Sequence, residues 1–410
     1  MSEDAGSTPS VTVPLSPARL RLFKRIMLSG LLVFAVAAAL GAEAAARYYE
    51  RHRTTPPDYF PSVYYPHRRL RYGLTPNRDY FGWFRINALG FRGKEISAEK
   101  KPGVIRVVCL GGSTTFDIAS VGSAPPWPEV LETDLRRRFP TEQVEVLNLG
   151  IPGATSLDSL IDLQMRALRL NPDLVILYQS HNDLTYSIPP TRPQPTSLYP
   201  LEDRPRSSFV RWLTYHSLLY AKAEDRVIGP ISGVVDSVLG LFGGGGEEVP
   251  EDRGQAMERG LADFRSNVMS IAAIAQANHV ALALVQVTVP FPMDGQPKGS
   301  CQMCDALSQT YGNLDLAALK SMYARYDGVL KESAGGANVY FIPSTGFVPS
   351  ADRYYHDPVH FSPDGSRELG VKLGEALAPI VTRLRSTESD GAAPAATQSA
   401  STVALAALAK

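Results

Sequence analysis

The sequence predicts an α/β domain, in which a parallel β-sheet is covered by helices on both faces. From residue 104 onward, apolar runs of strand length alternate with amphipathic stretches of helix length, which is the pattern of such a sheet. The composition agrees, because 44% of the 410 residues are hydrophobic and 20% are charged, as in a folded globular protein. One domain of more than about 200 residues with additional segments is therefore expected.

The predicted domain covers residues 104–385 and contains five strands and five helices. The strands are expected at 104–111, 144–149, 173–179, 280–289 and 338–342, and the helices at 126–138, 156–170, 252–278, 314–334 and 364–385. About one hundred residues separate the third strand from the fourth, far more than one crossover connection needs.

The extra length forms an insertion at about residues 184–251. It contains two amphipathic or apolar stretches followed by a run of four glycines. Three interpretations are open: a lid over a site, a patch that lies on a membrane, and a surface insertion that packs on the core and ends in a flexible loop.

An N-terminal membrane segment is expected at residues 26–46, after a cytoplasmic tail of residues 1–25. The uncharged run IMLSGLLVFAVAAALGA follows the basic stretch ARLRLFKR, so the basic side should stay in the cytoplasm and the rest should be exported. A cleaved signal peptide with GAEA as its cleavage site is the alternative, but the stretch ahead of the apolar run is long for one. We therefore expect a single-pass inner-membrane protein with its domain on the periplasmic side.

Two further segments flank the domain. Residues 47–103 should link it to the membrane segment and form an N-terminal flap, in which YFGWFRINALGFRG predicts a short strand, a turn at Asn87 to Gly90 and a packed return. Residues 386–410 are an Ala/Ser/Thr-rich tail that is expected to be disordered.

Charge and cysteine content narrow the possible partners. Lys plus Arg and Asp plus Glu both number 41, so nothing indicates a nucleic-acid-binding surface. Cys109 lies in an apolar strand and should be a buried core residue. Cys301 and Cys304 form a C-x-x-C, which in an exported chain is more often a local disulfide than a redox centre. No second pair is present to complete a zinc site.

Candidate catalytic residues follow the predicted strands. Ligands of open parallel sheets bind at the carboxyl ends of the strands. GGSTT, with Ser113, follows the first strand; NLGIPGATS, with Gly153, follows the second; QSHNDLTY, with Asn182, follows the third; and HDPVHFSPDG, with Asp357 and His360, follows the fifth. The predicted topology brings these side chains to one edge of the sheet.

This set of residues has the groups that acyl transfer needs. A serine hydroxyl is a weak nucleophile until a base takes its proton, and a third group must orient that base. Ser113, His360 and Asp357 would fill these roles. The backbone N–H groups of Ser113 and Gly153 and the amide of Asn182 would stabilise an oxyanion.

Each motif also has a simpler interpretation. GGST could be a strand-to-helix turn with a Ser or Thr cap, Asn182 with Asp183 a helix cap, and His360 an ordinary loop histidine. His356 with Asp357 and His360 could bind a metal, but no third type of ligand is in view. No metal or cofactor is expected, and the argument for catalysis depends on the ordered set rather than on one motif.

The ordered motifs resemble those of the SGNH hydrolases, also called GDSL esterases. The resemblance covers about residues 104–385, and NALGFRG is similar to the lead-in of many membrane-anchored bacterial members. It implies a flavodoxin-like three-layer α/β/α fold with a five-stranded parallel sheet. It also implies Ser113 as nucleophile, Asp357 and His360 as its partners, and Ser113, Gly153 and Asn182 as the oxyanion hole.

Two positions depart from the family pattern. Gly112 stands where the GDSL motif has Asp, which leaves the nucleophile in place. Ser180 stands where the third motif usually has Gly, so an extra side chain lies near Asn182. The departures affect the shape of the pocket and remove no group that the mechanism needs.

The residues favour a serine esterase that removes acyl groups, in particular acetyl, from a small molecule or a polysaccharide. The resemblance to membrane-anchored members implies an envelope or extracellular carbohydrate as the substrate. An O-acyltransferase that modifies a cell-surface polysaccharide would use the same triad. A non-catalytic polysaccharide-binding or scaffold protein is disfavoured because the site is intact. A lipase or thioesterase would rest only on the apolar stretches at 206–242.

Overall fold

The computed structural model describes residues 16–53, 63–66, 70, 72–188, 208–223, 252–291 and 303–389. These residues fall into two compact units. The first contains the N-terminal helix and residues 208–223, and the second contains the remaining described residues.

The second unit is built on nine strands. They are β1 (Tyr64–Pro66), β2 (Tyr72–Leu74), β3 (Arg78–Asp79), β4 (Arg85–Ile86), β5 (Val104–Gly111), β6 (Gln143–Asn148), β7 (Leu174–Tyr178), β8 (Ala281–Val285) and β9 (Val339–Ile342). The last five form a parallel sheet in the order β6, β5, β7, β8, β9. The predicted five-stranded parallel sheet is therefore confirmed.

The helices were numbered in chain order. They are α1 (Pro17–His52), α2 (Ser113–Phe116), α3 (Trp127–Arg138), α4 (Ser156–Met165), α5 (His181–Ser187), α6 (Ser208–His216), α7 (Leu218–Ala223), α8 (Arg253–Ala277), α9 (Cys304–Thr310), α10 (Leu316–Ser333) and α11 (Pro363–Ser389). Helices α3 and α11 pack together, and α8 packs against α4, α5 and α10. These two groups are the outer layers of the α/β/α arrangement.

The chain reverses its direction of travel across the sheet at β5. It passes from β5 to β6 on one side and then crosses to β7 on the other. The carboxyl ends of these strands border the crevice where open α/β sheets bind ligands. All residues of β5, β7 and β8 are buried, which explains why each is a continuous apolar run.

The flap forms from the segment in which the sequence predicts a strand, a turn and a return. The side-chain oxygen of Asn87 accepts the N–H groups of Leu89 and Phe91, each at 3.0 Å, and so closes the turn. The return segment bridges from Arg92 to Ile86 and to Asn148 of β6. The flap thus extends the edge of the main sheet.

In the first unit, α1 is longer than the predicted membrane segment of residues 26–46, since it begins at Pro17 and ends at His52. Its most apolar 18-residue window has no buried residue. The helix is long and apolar enough to cross a membrane, as an anchor or as a signal sequence.

Three predicted boundaries were wrong. Strand β8 ends at Val285 rather than at residue 289, because its neighbour β9 ends at Ile342 and offers no further partner. The helix expected to end at residue 170 becomes a 3₁₀ turn at Ala167–Leu170. Helix α11 continues to Ser389, beyond the end predicted for the last helix at residue 385.

The cysteine predictions have different outcomes. Cys109 is buried in β5, where burial raises the pKa of its thiol. Cys301 lies outside the described residues, and only the backbone of Cys304 is described, so the predicted pairing of these two lies outside the described part as well.

Candidate active site

Ser113 is the first residue of the one-turn helix α2, directly after β5. The two glycines before it lie where no side chain fits. A Cβ on Gly111 would clash with the carbonyl oxygen of Tyr178, and one on Gly112 would lie 2.5 Å from Nδ2 of Asn182. The backbone at both positions therefore approaches β7 and α5 so closely that only glycine fits.

His360 and Asp357 lie together on the loop between β9 and α11. Nε2 of His360 is 2.7 Å from Oγ of Ser113, and Nδ1 is 2.7 Å from Oδ2 of Asp357. Oδ1 of Asp357 accepts the backbone N–H groups of Val359 and His360, each at 2.8 Å. With a proton on Nδ1 donated to Asp357, Nε2 is free to accept the Ser113 hydroxyl proton.

The charge on Asp357 is favoured by its surroundings. Burial tends to raise the pKa of this carboxyl, but the hydrogen bond from His360, the charge of that ring and two backbone N–H groups outweigh burial and lower the pKa to about 2. Asp357 is therefore ionised at neutral pH. It can hold the imidazole in position and stabilise the imidazolium that forms when His360 takes a proton.

The loop after β6 and helix α5 meet next to Ser113. Nδ2 of Asn182 donates a hydrogen bond of 2.7 Å to the carbonyl of Ala154, and that carbonyl lies 3.2 Å from the Cβ position of Gly112. Gly153, with φ of 79°, directly precedes Ala154. Ser113, Gly153 and Asn182, the three residues predicted for an oxyanion hole, therefore lie around the Ala154 carbonyl and the Gly112 position.

A buried polar network that the sequence did not predict surrounds Asp183, the residue that follows Asn182. The carboxylate of Asp183 accepts the N–H of Ser156 at 3.0 Å, its hydroxyl at 2.5 Å and Nε2 of Gln179 at 2.9 Å. Burial raises the pKa of Asp183 to about 6, although these hydrogen bonds act in the opposite direction. Asp183 joins the start of α4 to α5, and so is more than the helix cap that the sequence suggested.

His181, on the other side of Asn182, is also buried. Its Nδ1 lies 2.7 Å from the hydroxyl of Tyr323, which is 2.6 Å from that of Tyr311. Burial, together with the charge of His360, lowers the pKa of His181 to about 3, so this ring is neutral. The SHND motif contains His181, but nothing local in the sequence indicates its tyrosine partners.

Arg92 of the flap is the most consequential residue that the sequence did not single out. Its buried guanidinium donates to the carbonyls of Phe116 and Asp117, both at 2.6 Å, and to that of Ser120. It lies over the rings of Phe84 and Phe116. Burial lowers its pKa to about 10, which leaves it cationic at neutral pH. Arg92 therefore satisfies the carbonyl end of the helix that bears Ser113.

The metal interpretation of the His356 region finds no support in the described residues, where no group of three His, Cys, Asp or Glu side chains is placed to hold an ion. His356 instead donates its backbone N–H to the carbonyl of His360 at 2.8 Å. This bond tightens the loop that carries His360.

Comparisons with known proteins found one matching family model and several similar solved structures. The model of the GDSL-like lipase/acylhydrolase family matches residues 109–368. A lipase/acylhydrolase from Enterococcus faecalis is 17% identical, with 67% of this chain and 96% of that chain covered and a TM-score of 0.37. A catalytic mutant of an acetylxylan esterase from Geobacillus stearothermophilus is 13% identical, with 67% and 94% covered and a TM-score of 0.39. No curated protein matches the chain.

Proposed function

This chain belongs to the GDSL-like lipase/acylhydrolase family and is a carboxylic ester hydrolase, and from this premise we propose that Ser113, His360 and Asp357 hydrolyse O-acyl esters. The observation that carries the proposal is the pair of 2.7 Å hydrogen bonds from Ser113 through His360 to Asp357. Ser113 is 247 positions from His360 in the chain, so its alignment with the His360–Asp357 loop is a property of the fold.

In the first half of the reaction, Oγ of Ser113 attacks the ester carbonyl carbon while Nε2 of His360 takes the hydroxyl proton. The bond to the alcohol oxygen then breaks, and His360 returns the proton to the leaving alcohol. In the second half, a water molecule attacks the acyl-enzyme and gives its proton to His360. The carboxylic acid leaves as the proton returns to Ser113.

The N–H groups of Ser113 and Gly153 and the Asn182 amide stabilise the oxyanion that forms in both halves. Removing one such donor typically raises the barrier by about 3–4 kcal/mol. The contact of the Asn182 amide with Ala154 fixes its direction before substrate binds. Preorganised donors pay no reorganisation at the moment of reaction.

The substrate that we propose is an O-acetyl ester of an envelope or extracellular carbohydrate. Support comes from the expected location of the domain and from the resemblance of NALGFRG to the lead-in of membrane-anchored bacterial members.

In this proposal α1 is a retained inner-membrane anchor with the catalytic domain on the periplasmic side. The basic residues before its apolar run support this orientation, and the exposure of that run is compatible with a membrane span.

A hydrolysis assay with a small activated ester tests the nucleophile. Ser113→Ala should reduce the turnover of p-nitrophenyl acetate by a factor of about 10³ or more, because the attacking oxygen is lost. Ser270→Ala, on the exposed face of α8, is the matched control and should leave turnover and thermal unfolding unchanged. Equal turnover by wild type and Ser113→Ala would overturn the assignment. With acetylated polysaccharide as donor, transfer to an added sugar rather than to water would indicate an acyltransferase.

A further inference from the structure

Helix α7 packs on the end of α1, where two glutamates of α1 hold it, and α6 packs against α7. We term residues 43–52 of α1 with α6 and α7 the collar. Oε1 of Glu43 accepts the N–H of Leu218 at 2.9 Å, and Oε2 accepts the N–H of Leu219 and the hydroxyl of Ser217, each at 3.0 Å. A carboxylate at the end of the apolar run thus receives the first N–H groups of α7.

The second glutamate holds α7 two turns further along. Glu50 is only 1% exposed, and its carboxylate pairs with Lys222 of α7 and with Arg53. Arg47 between them donates to the carbonyl of His216 at 2.8 Å. Three contacts over about two turns fix the collar at the C-terminal end of the predicted membrane segment.

Four aromatic side chains of the collar are exposed to solvent. Phe209 is 66% and Trp212 52% exposed, and their rings stack on one face of α6. On α1, Tyr48 and Tyr49 are 66% and 63% exposed. Among the described residues of the second unit, the large hydrophobic side chains with comparable exposure are scattered singly: Leu157, Tyr186 and Met269. A concentration of exposed aromatic residues marks an interaction surface.

The position of this surface identifies its partner. Trp212 stacks on His216, one helical turn away, and His216 contacts Arg47, which directly follows residue 46. Trp and Tyr are enriched where a membrane segment leaves the hydrocarbon, since an aromatic ring with a polar atom suits that boundary.

We propose that the collar is a second membrane contact, in which Phe209 and Trp212 insert into the lipid headgroup region beside the anchor. The collar then fixes the angle at which the chain leaves the bilayer, because α6 and α7 are joined to α1 by ion pairs and hydrogen bonds rather than by a free linker. This inference rests on the retained anchor proposed above. Resistance of the protein to carbonate extraction tests the anchor, so the two proposals can fail separately.

Quenching of tryptophan fluorescence in vesicles tests the collar. The full chain contains Trp83, Trp127 and Trp212, and it is reconstituted in phosphatidylcholine vesicles with or without lipid brominated near the headgroup end of its acyl chains. Most of the bromine-dependent quenching should disappear in Trp212→Phe. It should persist in Trp83→Phe, the matched control in the second unit.

Two results would overturn the inference. In one, Trp212→Phe is quenched as strongly as the wild type. In the other, Trp212 is insensitive to brominated lipid, and replacing it together with Phe209 by Ser abolishes a self-association seen in detergent, which would make the surface an interface between two copies of the chain.

Discussion

At the scale of single residues, the site depends on groups whose charge is set by burial. Asp183 illustrates this best. It receives hydrogen bonds from Ser156 and Gln179, yet it is 9% exposed and its pKa is raised to about 6. The folded protein therefore holds a proton on Asp183 at a pH where the unfolded chain, with an ordinary aspartate pKa of 3.8, has released it.

The sign of the resulting pH dependence is fixed. Between about pH 4 and 6 the folded state binds more protons than the unfolded state, so the free energy of unfolding should fall as the pH rises through this window. The shift corresponds to a loss on the order of 2–3 kcal/mol at pH 7. Asp183→Asn should remove this part of the slope, because it cannot ionise. Urea unfolding at pH 4.5 and 7.5 of wild type and variant measures it.

Two other carboxyl groups, those of Asp327 and Asp357, also contribute to the pH dependence of stability. Asp327, whose pKa burial also raises to about 6, makes Asp327→Asn the control that should remove a separate part of the same slope. Asp357 acts in the opposite sense, since its lowered pKa stabilises the fold above about pH 4 and that contribution is lost below it. If wild type and Asp183→Asn differed equally at both pH values, Asp183 would not carry the shift.

At the scale of elements, Arg92 joins the flap to helix α2, which begins with Ser113. Helix α2 has a single turn, too short to be stable by itself. The guanidinium closes its carbonyl end from the flap, and Trp127 closes it from α3 by donating its ring N–H to the carbonyl of Thr114 at 2.8 Å. The flap is therefore part of the structure that holds Ser113 in position.

Replacing Arg92 should show whether it acts by positioning Ser113, because Arg92 itself takes no part in the reaction. Arg92→Met leaves buried carbonyls without donors, and we expect a loss of about 2–4 kcal/mol in the free energy of unfolding. The rate of acylation should fall more than KM changes, because Ser113 loses its alignment with His360. Arg92→Lys keeps the charge but not the forked geometry, so it should recover only part of the activity. Stopped-flow acylation and denaturant unfolding measure the two effects.

The control for Arg92 lies in the same flap. Arg85 pairs with Glu95 at 2.8 Å on the surface, with more than half of the Arg85 side chain exposed. Arg85→Met should therefore change stability by no more than about 0.5 kcal/mol. Wild-type acylation by Arg92→Met at a temperature where it is fully folded would contradict the positioning role.

The elements themselves were largely predictable from sequence, and the limits of that prediction have a physical cause. Strands β5 and β7 were placed to within one residue, because strands buried on both faces are continuous apolar runs bounded by turns. Strand β8 was predicted too long because Val287 and Val289 are also buried, although they lie beyond the sheet. Burial is visible in a sequence, whereas the absence of a pairing partner is not.

The same limit applies to the site. The order of Ser113, Asn182, Asp357 and His360 along the chain, each after a strand, was enough to expect that they meet. Residues that act through other segments gave no such signal. Arg92 serves carbonyls 24 to 28 positions away, and His181 bonds a tyrosine 142 positions away. Such contacts depend on the packing of the whole domain.

At the scale of the whole molecule, the two units have separate cores. The sheet and the residues proposed for catalysis belong to the second unit, whereas Leu218 and Ala221 of α7 are buried in the first. Removing α1 alone would expose the apolar face of α7 next to Phe209 and Trp212. Removing α1 together with the insertion should leave only the hydrolase core, without a newly exposed apolar surface.

Two shortened chains test this separation. In the first, residues 1–62 are deleted; in the second, residues 189–251 are also replaced by about ten Gly and Ser residues, a linker with a fully extended length of about 33–36 Å. We expect the first chain to aggregate and the second to be monodisperse, with kcat/KM for p-nitrophenyl acetate within about twofold of the full chain. Light scattering with size-exclusion chromatography and the ester assay decide between them. If the second chain is folded but inactive, the insertion is needed to complete the site, as a lid would be. Helices α6 and α7 would then have a catalytic role instead of the membrane contact proposed for the collar.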